Sequence, residues 1–331
     1  MKNIFEYVCL SASIALLASC NDFLDVQPKG QLEQDKMFQD LTGFEDAMFG
    51  IYGKMATGDL YGENLSWGLV DEIGQQFGYD NSQELAYHFN RYDYKYQQAR
   101  SAIDKIWSSQ YQAISYVNNV LEHADRATFA PTEIQLMKGE CYGLRTFLHF
   151  DIARLFCNDY TRSNAATEGL PYATTFDLKN KARHTLFETY RLILRDLDTA
   201  DSLLVNDNDI SFDGDYQRDY KKGRVMLFNK YAVKATKARV YYAMGNNVEA
   251  VRYAREVIAA VDAAKVATKD LFIQEMMRER MREFPGMGQT FYALKHYYRS
   301  FTDFRNVDTY QPSSEIFNLP WPDREVEYGD K

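Results

Sequence analysis

Cysteine is scarce in this chain of 331 residues, with four in all, and proline is scarce too, with seven. Cys9 and Cys20 lie at the N-terminus, which leaves Cys141 and Cys157. Both fall on one continuous helical pattern, where the rise between them is about 24 Å. A disulfide needs its Cα atoms within about 7 Å, so these two are expected to be buried free thiols. C-x-x-C, H-E-x-x-H, G-x-S-x-G and a phosphate-cradling glycine loop are all missing, which removes the commonest signatures of zinc, hydrolase and nucleotide chemistry. Gly286-x-Gly288 lacks a third glycine and follows no strand pattern. The histidines, His88, His123, His149, His184 and His296, are scattered with no pair at metal-ligand spacing, and His149 reads as a satisfied packing residue. No basic run occurs, and the formal charge is −9 from 38 Lys and Arg against 47 Asp and Glu, so nucleic acid is not an expected partner. No catalytic residue, metal or cofactor is expected, and the chain reads as a binder rather than an enzyme.

What is present begins with a leader. Lys2 supplies a basic start, weakened by Glu6, and Val8 to Leu17 form an apolar run. That run falls short of the roughly 20 residues a membrane span needs. Leu17-Ala18-Ser19-Cys20 follows: a large apolar residue, two small ones and a thiol, as a lipoprotein signal peptidase requires. Residues 1–19 are therefore expected to be a signal peptide and Cys20 a lipid anchor. The acid-containing stretch 21–25, then Pro28 and Gly30, reads as a tether, and 20–331 as one domain.

The mature sequence reads as all-α. Three apolar stripes recur at steps of three and four residues: Ile103, Trp107, Tyr111, Ile114, Val117, Leu121; Ile134, Met137, Cys141, Leu144, Leu148, Ile152, Leu155; and Leu186, Tyr190, Ile193, Leu197, Ala200, Leu204. Each set lies on one helix face. Pro131-Thr132 opens the second helix with Thr132 as its expected N-cap, and Thr185 with Glu188 resembles a capping box for the third. The connection 158–184 is long for a bundle. Within 231–261, Ala238, Tyr241, Gly245 and Ala250 occupy the small and aromatic positions of a tetratricopeptide repeat, with the turn at Gly245-Asn246. Such hairpins need stacked neighbours, and tetratricopeptide-like hairpins are expected over roughly 101–261. Asp209-x-Ser211-x-Asp213-Gly214-Asp215 matches half of a calcium loop, but Tyr220 stands where a bidentate glutamate is required. A solvated acidic loop is the better reading.

Several segments, in order, resemble the SusD/RagB family of outer-membrane nutrient-binding lipoproteins. They are Cys20-Asn21-Asp22-Phe23-Leu24-Asp25 with Pro28; Trp107 to Leu121; Arg145 to Phe156; Leu170-Pro171-Tyr172; Thr185 to Leu197; Glu279 to Phe284; and Leu319 to Glu325. The resemblance implies stacked helical hairpins on one side and an irregular loop-rich, ligand-binding face on the other. It also implies an outer-membrane site facing the cell surface, held by lipid on Cys20, and a role as lid on a SusC-like TonB-dependent transporter. The ligand it implies is an oligosaccharide, or a peptide in the RagB branch; a third reading is a structural adaptor of the transporter with no small ligand. The usual long insert between the repeat and the late Glu-Arg segment is reduced here to Val261 to Leu271, so much of the usual ligand lobe is missing. The remaining candidate surface is 67–98, where Trp67, Asp71, Tyr79, Asn81, Tyr87 and Tyr92 are the expected ligand-binding residues. Tyr offers a ring face and a hydroxyl together, which suits sugar stacking; the plainer reading is that this stretch packs over the first helices.

Overall fold

The computed structural model describes residues 36–177, 179–210, 219–261, 291–292, 295, 301–302 and 309–322. The leader, Cys20, the tether, most of the calcium-like loop and the Glu279 to Phe284 segment lie outside the described residues.

The described chain is all-α. Its helices are α1 (Leu41–Met55), α2 (Leu69–Ile73), α3 (Leu85–Asn90), α4 (Gln97–Ala124), α5 (Pro131–Phe156), α6 (Leu186–Leu203), α7 (Lys230–Ala243), α8 (Asn247–Val261) and the single turn α9 (Ser314–Phe317). Among the described residues the only sheet is a two-residue antiparallel ladder, β1 (Phe301–Thr302) against β2 (Thr309–Tyr310).

Local chemistry sets the helix ends. Asp40 starts α1 by accepting from the Gly43 N–H at 3.0 Å. Asn229 starts α7 by accepting from the N–H groups of Tyr231 and Ala232. Thr185 caps α6 as expected, accepting from Glu188 N at 3.2 Å. The reciprocal half of the box is not the use made of Glu188, whose carboxylate pairs with Arg191. The expected cap of α5 is corrected: Ala130 is the N-cap, with φ +42°, and Pro131 is the first helical residue. Proline's fixed φ and missing N–H suit that first position, so Thr132 lies inside the helix.

The helices pack in series, α1 on α4, α4 on α5, α5 on α6, α6 on α7 and α7 on α8. The last pair is the expected hairpin; Gly245 turns it with φ +75°, and Tyr241 stacks on Tyr253 with ring centroids 5.7 Å apart. α5 is central, touching α1, α4, α6 and α7. It is buried on nearly every side. Two glycines on α5 allow the close approach. A Cβ on Gly139 would lie 2.6 Å from Leu204, and one on Gly143 would lie 2.3 Å from the Phe228 ring.

A helix buried all round carries its polar groups into the core, where each needs a partner. Glu140 accepts from the hydroxyls of Tyr52 and Tyr220 and from Arg224, and Arg224 also donates to Asp207 at 2.8 Å. Arg145 pairs with Asp196 and donates to Asn118. Asp151 accepts from Tyr61 and Arg154. Cys141 and Cys157 are free and buried, as expected.

Two irregular segments are fastened to this core. Leu170-Pro171-Tyr172 forms a buried strap in the long connection. Tyr111 donates to Pro171 O, Tyr172 donates to Asp196, and Asn118 donates to the carbonyls of Ala173 and Thr175. His149 lies flat on Tyr172, ring centroids 3.9 Å apart. The late segment closes the C-terminal end of α5: Leu319 N donates to Leu155 O, and Trp321 packs edge-on against Trp107 at 5.0 Å. Lys295 donates to the carbonyls of Arg154 and Cys157, capping the helix C-terminus; burial pulls its ammonium down to about 7.

Candidate functional site

The stretch 67–98 is an excursion holding α2 and α3, anchored by its own buried amides. Asn90 donates to the carbonyls of Glu72 and Phe77 and to the side chain of Gln75. Gln75 returns a bond to Asn90 O at 2.6 Å. Gln75 and Tyr92 both hold φ +58°, the left-handed region. For non-glycine residues that conformation is uncommon and persists where surroundings enforce it. The excursion is thus a set shape, with α3 packed on α4.

The expected ligand residues divide on this frame. Asp71 is buried, and Tyr92 supports the backbone from within, its hydroxyl donating to Ile73 O at 2.9 Å. Tyr94, from the same run, is buried with its hydroxyl on Ile316 O, and Tyr96 stacks on His88 at 3.5 Å. The others reach solvent. Trp67 is 55% exposed, yet its indole N–H is held by Gly62 O at 3.1 Å. Asn81 is exposed and donates to Glu84. Tyr79 and Tyr87 are half-buried and joined by Arg91, which lies over the Tyr87 ring at 3.7 Å and donates to Tyr79 O at 3.0 Å.

The electrostatics beneath these rings are acidic. Burial, then the charges of Glu63 and Asp71, pushes the Glu72 carboxyl up to about 7. Burial, then Glu72, Glu84 and Asp71, raises the Tyr79 hydroxyl. Near neutrality Glu72 is therefore both donor and acceptor, as a hydroxyl-rich ligand requires. Phe77, 43% exposed, and Arg91 belong to the same surface and were not expected from the sequence. An isolated Phe is ordinarily core, and an Arg gives no sign of which ring it covers.

Among the described residues no group of three or more His, Cys, Asp or Glu is placed to hold a metal ion, and no helix is long and apolar enough to cross a membrane. Tyr220, at the twelfth position of the calcium-like loop, is buried with its hydroxyl on Glu140 at 2.9 Å. It serves the core; residues 211–218 of that loop lie outside the described residues.

Residues 22–242 match the SusD-like family described as starch-binding and associating with the outer membrane. No curated protein matches the chain. Among solved structures, one from Bacteroides vulgatus superposes with a TM-score of 0.54 at 24% identity, over 72% of this chain and 50% of that one. A SusD superfamily protein from Bacteroides thetaiotaomicron gives 0.54 at 19% identity, over 70% of this chain and 49% of that one. A SusD-like carbohydrate binding protein from Bacteroides vulgatus gives 0.53 at 17% identity, over 70% and 47%. At these identities the likeness concerns the fold, and the chain spans about half the length of these relatives. The family match, covering two thirds of the sequence, and the shared helical stack place this chain in the SusD-like family.

Proposed function

We propose that this protein captures a carbohydrate at the outer membrane and hands it to a SusC-like TonB-dependent transporter, binding without cleaving. Lipid on Cys20 holds it there, facing the cell surface. The observation that carries the reading is Trp67: a large ring left more than half exposed while its N–H is pinned to Gly62 O. An indole fixed in orientation and offered to solvent loses little entropy when a sugar face stacks on it. Tyr79 and Tyr87 add ring faces, with Arg91 holding the Tyr79 backbone carbonyl and lying over one face of Tyr87. Glu72, Glu84 and Asn81 add acceptors and amide donors for hydroxyls. Tyr92 positions this surface from beneath, and Asp71 is buried below it.

The family description motivates starch fragments as the first probe. Calorimetric titration of the full chain with maltooligosaccharides is expected to show binding. Trp67→Ala and Tyr79→Ala should each weaken it by about tenfold, since one well-stacked ring is worth about 1 kcal/mol or slightly more. Unchanged affinity in both variants, with unchanged melting temperatures, would move the site elsewhere. The absence of binding to any glycan would favour the peptide or adaptor readings.

A further inference from the structure

The chain around Trp67 carries charge of one sign. Between residues 63 and 91 it holds Glu63, Asp71, Glu72, Asp80 and Glu84, and Arg91 is the one lysine or arginine. Glu63 brackets the tryptophan. It follows Gly62, whose carbonyl holds the indole N–H, and its own carbonyl accepts from Ser66 and Gly68, at 3.0 and 2.9 Å. Its exposed side chain runs along the same turn, with Cγ 3.1 Å from where a Cβ on Gly68 would stand. Glu72 lies close enough to Glu63 for their charges to act on each other, and Tyr79 feels both Glu72 and Glu84. The acids thus span the surface from the Trp67 turn to Tyr79.

No ion pair offsets these carboxylates among the described residues. Glu84 accepts from the neutral Asn81 amide, and none of Glu63, Glu72 and Glu84 is paired with a cation there. Arg91 is turned to the Tyr87 ring and the Tyr79 carbonyl, and His88 to Asp93. Like charges held at a surface repel an anion over the screening length, about 30 Å at 10 mM salt and about 3 Å at 1 M. The exposed indole acts in the same sense, because the negative face of an aromatic ring attracts cations. Stacking alone accepts any sugar face, so charge is what this surface adds to it.

We propose that this surface selects glycans by charge: it takes sugars bearing neutral or amino groups and turns away those bearing carboxylates. The inference rests on the Trp67 reading above. The test is calorimetric titration of the full chain, in about 10 mM salt at pH 8, with maltotetraose, its C6-oxidised glucuronate form and its 6-amino-6-deoxy form. These share ring faces and linkages and differ in charge at C6. At pH 8 the amine is charged and Glu72, raised to about 7, is ionised. The glucuronate form is expected to bind about tenfold more weakly than maltotetraose, and the amino form several-fold more tightly. In about 1 M salt both differences should shrink to roughly twofold or less. Glu63→Gln, at an exposed position, should narrow the ratio between amino and glucuronate forms by about threefold or more, with the melting temperature unchanged. Equal affinity for the three forms, or a preference untouched by salt and by Glu63→Gln, would overturn charge selection; if Trp67→Ala still weakened maltotetraose, capture at Trp67 would stand without it. If none of the three binds, or Trp67→Ala leaves all three unchanged, the Trp67 reading fails and charge selection fails with it.

Discussion

At the scale of single residues, several polar side chains in the core have both ends held. His149 is the sharpest case. Its Nδ1 faces Arg145 O at 2.9 Å, and its Nε2 faces the Ala173 N–H at 3.1 Å. A carbonyl can only accept and an amide N–H can only donate, so the ring is neutral with its proton on Nδ1. Burial, reinforced by the nearby Arg145 charge, pulls its pKa from 6.5 down to about 3. The unfolded chain then binds a proton at a pH where the native state does not. Stability from this residue is fully present above pH 6.5 and is lost progressively as pH falls from 6.5 toward 3. Between about pH 7.5 and pH 5 the loss should amount to about 2 kcal/mol, because a full proton held only by the unfolded chain costs about 1.4 kcal/mol for each step of one in pH. Urea unfolding of the wild type and of His149→Phe checks this. The variant should be less stable at neutral pH, with a shallower loss over that window. Identical slopes would mean that another group governs acid sensitivity. The position of His149 within a helical pattern, with no second histidine at metal-ligand spacing, made it legible in the sequence as a packing residue. Its partner Ala173 was not legible, because the chain reaches it only through the strap.

At the scale of elements, periodicity carries most of the information. The stripes on α4, α5 and α6 face the core because an apolar recurrence every three or four residues has only one way to be buried. How closely those helices approach is a separate matter, and it rests on Gly139 and Gly143. Gly143→Ala would set a methyl group 2.3 Å from the Phe228 ring. The backbone that carries that ring cannot shift aside freely, because the Phe228 N–H is bonded to the Tyr52 hydroxyl and Tyr52 to Glu140. Overpacking should cost about 1–3 kcal/mol and outweigh the helix-propensity gain of about 1 kcal/mol. Gly50→Ala on α1 is the matched control: nothing lies within 4 Å of its Cβ position, so stability should rise by about 0.5–1 kcal/mol. Thermal melts of the two variants should move in opposite directions; a neutral Gly143→Ala would show that the α5 contact is loose. The stripes, the Thr185 cap and the Gly245 turn are legible in the sequence because each is a local signal. The α5 cap is not, because a helix-opening proline there competes with a threonine beside it. Nor is the Glu140–Arg224–Asp207 cluster, whose members come from distant segments and carry no periodic mark. In the candidate site, aromatic clustering was legible, but which rings face outward was not. Tyr79 and Tyr92 look alike in sequence, and only the bond from Tyr92 to Ile73 O separates them.

At the scale of the whole molecule, the serial stack has two unlike ends. The 67–98 excursion packs on α4, the α7–α8 hairpin packs on α6, and α5 lies between. A lid on a transporter has to keep hold of the membrane while offering one face to ligand and another to its partner. The described fold begins at Lys36, and the proposed anchor is Cys20. Even fully extended, that stretch of chain reaches at most about 55 Å, so lipid on Cys20 would confine the helical stack to the immediate neighbourhood of the bilayer. Confinement of that kind would raise the effective concentration of the proposed lid at a transporter without adding any contact. Cys20→Ala removes the thiol that would be alkylated and leaves the helices untouched. The variant is expected to leave the membrane fraction for the soluble one, to melt at the wild-type temperature and to keep its maltooligosaccharide affinity, while uptake through the transporter falls. Fractionation after a high-salt wash, run beside the melting and binding measurements, checks all of these together. Persistence of the Cys20→Ala protein on washed membranes would show that something other than this thiol holds the protein there.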